Sequence, residues 1–127
     1  MSQYVDGHTR TFTADEAIAI HARVKLDSDG RVTVAGLTDK EVGTAMAAAF
    51  AAGDVIPVRL RTASGTHKMI AVEALAVGAT VYTEAAGKVQ DTAQATAFQI
   101  GTALEAATAN GDVIEVLYNA HGDTAAS

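Results

Sequence analysis

Four histidines (His8, His21, His67 and His121) and a recurring pair of aspartates, Asp54 and Asp112, are the side chains best suited to chemistry in this sequence. Imidazole can shuttle protons or bind a metal near neutral pH. These four are scattered, however, with no pair at the i, i+4 spacing of helical metal ligands and no cysteine to join them. Each therefore reads as a surface or partly buried histidine, and His121, in the tail NAHGDTAAS, as a solvated one. Asp54 and Asp112 each follow a glycine, which marks them as turn residues whose carboxylates cap nearby backbone amides. Asp27-Ser28-Asp29-Gly30 begins like a calcium loop, but its glycine comes fourth rather than sixth, so a hairpin turn is expected. No nucleophile elbow, phosphate-binding loop or dinucleotide fingerprint is present. The sequence offers no catalytic, cofactor-binding or metal-ligating set, and the expectation is a non-enzymatic protein without cofactors.

What positions these residues is an internal repeat. Val42 to Leu60, VGTAMAAAFAAGDVIPVRL, matches Ile100 to Tyr118, IGTALEAATANGDVIEVLY, at 11 of 19 positions with an offset of 58. Upstream the offset is 57: Glu16 to Val32 aligns with Glu73 to Val89 through 7 identities in 17. One residue inserted between Val89 and Ile100 accounts for the change. The chain thus reads as an arm (1–15), a single β-domain (16–118) containing the repeat 16–60 and 73–118, and a tail (119–127).

The units read as strands. Ala22–Leu26 and Arg31–Val34 flank an Asp-Gly turn, and Thr80–Thr83 and Lys88–Gln90 flank EAAG. The Gly-Asp turns lead into β-rich runs, Val55–Leu60 and Val113–Leu117. Pro57 cannot donate to a ladder, so its strand should be an edge or carry the proline nitrogen outward. Ala45–Ala52 has the propensity of a helix, but its partner ALEAATAN carries Thr108 and Asn110 and is too short to stand alone as one. A strand over Val42–Ala47 followed by a turn is expected. Thr38–Glu41 has capping-box spacing, which suggests a short helical turn there, with a similar turn over Asp91–Ala97.

Composition narrows the function classes. Of 127 residues 28 are alanine and only 5% are aromatic, so the core must be thin, with Val, Ile and Leu supplying its bulk. The absence of cysteine excludes a disulfide scaffold and thiolate zinc sites. A net charge of −6 argues against binding nucleic acid. No apolar run reaches the ~18–20 residues of a membrane span, and MSQYVDGHTR has neither region of a signal peptide. The arm is the best interaction candidate. Tyr4, Val5, His8, Arg10 and Phe12 lie in a Thr-rich, β-prone segment that can add itself as a strand to a partner's sheet. Thr66-His67-Lys68-Met69 resembles the Lys-Met turn of carrier domains, which gives an alternative reading as a small β carrier or ligand-binding domain modified at Lys68.

AVEALAVGATVYTEAAGKV followed by IGTALEAATANGDVIEVLY resembles the small capsid decoration, or cement, proteins of tailed bacteriophages. The resemblance covers most of Glu73–Tyr118 and, more weakly, Glu16–Leu60. It implies a mainly β fold, a small β-tulip or barrel-like domain, and a homotrimer on the outer surface of the expanded head, made in the bacterial host cytoplasm. It further implies the major capsid protein as partner, with the N-terminal segment as anchor and no enzymatic activity. A phage tail or baseplate module is the neighbouring structural alternative.

Overall fold

The Asp27–Gly30 turn shows how local chemistry sets this fold. Asp27 Oδ1 accepts hydrogen bonds from the amides of Asp29 (2.9 Å) and Arg31 (3.0 Å). Gly30 adopts φ +80°, a left-handed conformation that glycine enters at no steric cost. The turn joins β2 (Arg23–Leu26) to β3 (Val32–Val34) with Leu26 opposite Val32. The computed structural model describes residues 7–119 and a two-residue strand at 124–125. The first sheet is completed by β1 (Thr9–Thr13), β4 (Gly43–Ala45) and β5 (Val55–Leu60), in the order β1-β5-β4-β2-β3. The second contains β6 (His67–Ile70), β7 (Thr80–Thr83), β8 (Val89–Gln90), β9 (Phe98–Ala103) and β10 (Val113–Tyr118), ordered β6-β10-β9-β7-β8. β11 (Thr124–Ala125) adds to β9.

The two orders are the same, strand for strand. Bridges Ala14–Val32 and Ala71–Val89 tie the first strand of each sheet to its far side, so both sheets curl into half-barrels. The expected mainly β fold of two related units is what the chain adopts. Each unit has its own core. Phe12, Ile18, Val24, Val32, Ile56 and Val58 pack in the first; Met69, Leu75, Val81, Ile100, Ile114 and Val116 pack in the second.

The repeat begins earlier than the sequence alignment placed it. Thr9–Thr13, expected as part of an arm over residues 1–15, is β1 of the first sheet, and β6 is its counterpart in the second. Phe12 faces Ile56 as Met69 faces Ile114, and both are buried. Strand pairing asks for an inward apolar side chain at that position, and Phe and Met supply it equally well without sequence identity. In the alanine-rich stretch the strand covers only Gly43–Ala45, with no helix after it. Instead Ala49 exchanges backbone hydrogen bonds with Ile18 (2.8 and 2.9 Å), as Ala107 does with Leu75 (3.0 Å each way). Both alanines and their bridge partners are buried.

Two further details differ from expectation. No helical turn forms at Thr38–Glu41: Asp39 Oδ2 accepts from Gly36 N (2.8 Å), and Glu41 turns inward to an arginine. The helical turn among the described residues is a 3₁₀ turn at Ala85–Gly87, within EAAG. Pro57 lies in β5, which is flanked on both sides, by β1 and β4. Its nitrogen faces the β4 side, one residue beyond the last β4–β5 pair, Ala45–Val58. There Pro57 O accepts from Met46 N (2.9 Å), and no ladder donor is needed. In the other unit Glu115 occupies this place, and its N–H goes to Glu105 Oε1 (2.8 Å).

A buried polar joint fixes the units to each other. Arg23 is fully buried, and its guanidinium donates to Glu41 Oε1 (3.0 Å) and to the carbonyls of Ala35 (3.3 Å), Gly36 (3.1 Å), Glu84 (2.6 Å) and Lys88 (3.0 Å). Glu84 and Lys88 belong to the second unit. Glu41 Oε2 accepts from the Tyr118 hydroxyl (2.7 Å), again across the joint. Thr83 Oγ1 donates to Leu37 O (2.6 Å), and Gly87 N to Ala35 O (2.8 Å). A buried guanidinium is tolerable because its charge is paired and its donors are bonded.

Candidate interaction surface

Of the five arm residues singled out from the sequence, Tyr4 and Val5 lie outside the described residues, as does His121. His8 is exposed just before β1, and its carbonyl accepts from Leu60 N (2.9 Å). Arg10 is half-buried, its guanidinium 4.4 Å from the Phe12 ring centroid, a cation–π contact. Phe12 itself is a core residue, 5% exposed. The structure thus brings His8 and Arg10 to one edge of the first sheet and turns Phe12 inward. Among the described residues β1 ladders with β5 along its length, and the bridge Ala14–Val32 closes its C-terminal end against β3. The alternation of the antiparallel ladder leaves the backbone groups of Thr9 and Thr11 facing away from β5, short of that bridge.

Exposed apolar side chains recur at matching places in both units: Ile20 with Val77, Met46 with Leu104, and Val55 with Val113. His21 N donates to Ala45 O (2.8 Å), so Ile20 and Met46 emerge from adjoining backbone. Gly78 N donates to Ala103 O (2.8 Å) and sets Val77 beside Leu104 in the same way. Single exposed hydrophobics are ordinary; their recurrence in both copies is the informative part. Phe50 has no apolar twin, since Thr108 takes its place, and at 86% exposure it is the most exposed large hydrophobic described. Its loop is pinned: Asp54 Oδ2 accepts from Phe50 N (2.8 Å) and Ala51 N (3.2 Å). Asp112 Oδ2 repeats the device with Thr108 N (2.7 Å) and Ala109 N (3.2 Å), and these bonds hold its carboxyl below the usual carboxylate range. The capping role read for both aspartates is observed. Phe50 projects outward, whereas Ile56 of β5 is core and Leu60 packs against that core.

Neither His67 nor Lys68 belongs to a reaction centre or a carrier turn. His67 is buried on β6; Nε2 lies 2.9 Å from Leu60 O, Nδ1 has no partner, and the ring meets Tyr118 edge-on at 4.7 Å. Burial lowers its pKa below the ordinary imidazole value. Lys68 stands mid-strand on β6, opposite Glu115 of β10, and not on the exposed hairpin tip that a carrier lysine requires. Among the described residues no group of three or more His, Asp or Glu is placed to hold a metal, and no helix is long and apolar enough to cross a membrane. Arg23 and Glu41, the centre of the joint, escaped sequence reasoning because the repeat puts Thr80 opposite Arg23 and Glu41 lies outside the aligned segments. The apolar pads were in reach of it, since Ile20/Val77 and Met46/Leu104 are conservative pairs in the alignment.

Residues 62–118 match the family model described as phage cement protein. They span β6 to β10, the second unit nearly whole. The chain is also similar to the N base of the head fiber of bacteriophage phi29, with a TM-score of 0.72 and 18% identity over 87% of this chain and 92% of that one. That likeness establishes the shared fold. No curated protein matches the chain. The resemblance to phage capsid decoration proteins drawn from the residues is borne out by the family match, and a capsid-associated structural role is supported.

Proposed function

We propose that this chain is a non-enzymatic capsid decoration protein that binds the outer surface of the expanded phage head and stabilises contacts between major capsid protein subunits. The observation that carries this reading is the cement-protein match over residues 62–118, which spans β6 to β10 of one β-unit rather than a scattered motif. A protein with this task needs docking surfaces and no reaction centre. The open edge of β1, with His8 and Arg10 beside it, suits addition to a partner strand. The recurring apolar pads and Phe50 suit contacts among copies in a homotrimer. Three tethered contacts per trimer raise the effective concentration of each, so individually modest affinities give tight attachment. Repulsion between acidic chains (net charge −6) favours solubility before assembly.

The test is binding to purified expanded heads, read by sedimentation and cryo-microscopy. Deletion should stop at residue 7, because removing Phe12 would open the core of the first unit. Loss of binding on removing residues 1–7, or on His8→Ala with Arg10→Ala, supports the N-terminal anchor; unchanged binding refutes it. Density on the tail and none on the head would overturn the decoration role in favour of a tail module.

A further inference from the structure

Between the two sheets lies a cleft of about 330 Å³ lined by His21, Thr44, Ala45, Met46, Arg59, Thr66, Lys68 and Glu115. Three of these are basic and come from three separate elements: the loop before β2, β5 and β6. Their convergence runs against the composition of a chain with 9 Lys and Arg against 15 Asp and Glu. Arg59 is held in place by its own loop, Nε donating to Thr66 O (3.1 Å) and Nη2 to Ser64 O (2.7 Å). Those bonds use two of the five N–H groups of a guanidinium. Lys68 is exposed and enters none of the ion pairs among the described residues. Glu115 is the cleft's one carboxylate, and its Oε2 accepts from Thr66 Oγ1 (2.6 Å).

His21 is the second sign of a site. Its backbone has φ +72°, a conformation that crowds any residue bearing a β-carbon. In the repeat the same place is filled by Gly78, φ +86°. The first unit therefore keeps an imidazole where its copy meets the same turn with glycine and no steric cost. Unfavourable backbone that persists at a cleft points to use of the side chain. Burial and the neighbouring Lys68 ammonium both disfavour a further positive charge on this ring.

We propose that this cleft binds the carboxylate side chain of an acidic peptide segment presented by a partner chain. The carboxylate lies against Lys68, Arg59 and His21; the peptide's N–H groups face Glu115, and its apolar part rests on Ala45 and Met46. Glu115 selects against a free phosphate dianion, which it repels, and for a ligand that brings donors along with its negative charge. The proposal is independent of which partner the capsid reading names.

The test is a titration of isotope-labelled protein, followed by backbone NMR shifts at low salt. The probes are a blocked synthetic hexapeptide carrying two glutamates, its glutamine counterpart, and inorganic phosphate. The glutamate peptide should shift the amides of His21, Met46, Thr66 and Lys68, and the glutamine peptide should bind about tenfold more weakly or worse. Lys68→Gln, at an exposed position, should weaken the glutamate peptide about tenfold. His21→Gly should weaken it too while raising the thermal midpoint, a combination that a purely structural histidine would not give. Equal binding of the two peptides, tighter binding of phosphate, or unchanged affinity in Lys68→Gln would each overturn the proposal.

Discussion

Replacing Arg23 by Met removes the guanidinium from the joint while keeping an unbranched side chain of similar reach. Glu41 would then sit fully buried with only the Tyr118 hydroxyl to stabilise its charge, and four carbonyls (Ala35, Gly36, Glu84, Lys88) would lose a donor. Breaking a buried ion pair from one side costs about 3–5 kcal/mol. In a protein whose total stability is on the order of 5–15 kcal/mol that is a large share, and for a chain of this length it lowers the midpoint by roughly 10–20 °C. Urea unfolding with two probes is the assay: the Tyr82 environment for the second unit and hydrogen exchange of β2 for the first. The double variant Arg23→Met, Glu41→Met should recover at least about 1 kcal/mol, because no carboxylate then remains buried unpaired. The partly exposed pair Lys25–Asp39 (3.0 Å) is the control, and Lys25→Ala should cost at most about 1 kcal/mol. If Arg23→Met costs less than about 1 kcal/mol, the joint does not couple the units and the reasoning fails.

Other perturbations follow from the same geometry. A Cβ at Gly101 would lie 1.8 Å from Leu117 O, and at Gly43 2.1 Å from Arg59 O, so alanine at either site forces β9 from β10 or β4 from β5. Each should cost several kcal/mol by chemical denaturation, at or above the roughly 3 kcal/mol upper end of ordinary overpacking. Alanine at Gly111, where φ is +100° but the space is open, should cost only about 1 kcal/mol. His67 stays neutral in the fold with its pKa below the ordinary 6.5, so the unfolded chain takes up a proton first as pH falls. Its contribution is intact above pH 6.5 and is lost between there and the lower folded value, with a slope of at most about 1.4 kcal/mol per pH unit. His67→Phe should flatten that part of the stability–pH curve and leave acid unfolding below 3.8, where Asp39 and Asp112 protonate. Phe50→Ser should leave the unfolding midpoint unchanged, since the ring is 86% exposed, while reducing self-association measured by sedimentation equilibrium.

How much of this was legible in the sequence depends on what carried the signal. Turns with a chemical requirement were: Asp27-to-Gly30, the Gly53-Asp54 and Gly111-Asp112 pairs, and the strands beside them all fall where residue type predicts. β1 was hidden because Arg10 to Thr13 and His67 to Ile70 share no residue, although the ladder and the core accept either sequence. The joint was hidden for the opposite reason: Arg23, Glu41 and Tyr118 are 18 and 77 positions apart along successive contacts, and the repeat puts Thr80 and Leu60, unlike residues, opposite Arg23 and Tyr118. The cleft depends on two such unit-specific residues as well, His21 and Arg59, which the repeat replaces by Gly78 and Leu117. Duplication made the common scaffold readable and concealed the places where the copies diverged.

The joint also imposes an order on synthesis. Every strand of the first half-barrel has been made once Leu60 leaves the ribosome, and its edge strand β1 can dock on β5 at that point. Arg23 at that stage still lacks its acceptors at Glu84 and Lys88, and Glu41 lacks the hydroxyl of Tyr118 at the end of β10. The joint of the first half therefore stays open to water, its charge pair uncapped, until β10 is complete. A chain that stops before Tyr118 carries that deficit, so β10 acts as the clasp for β2, one of the earliest strands made.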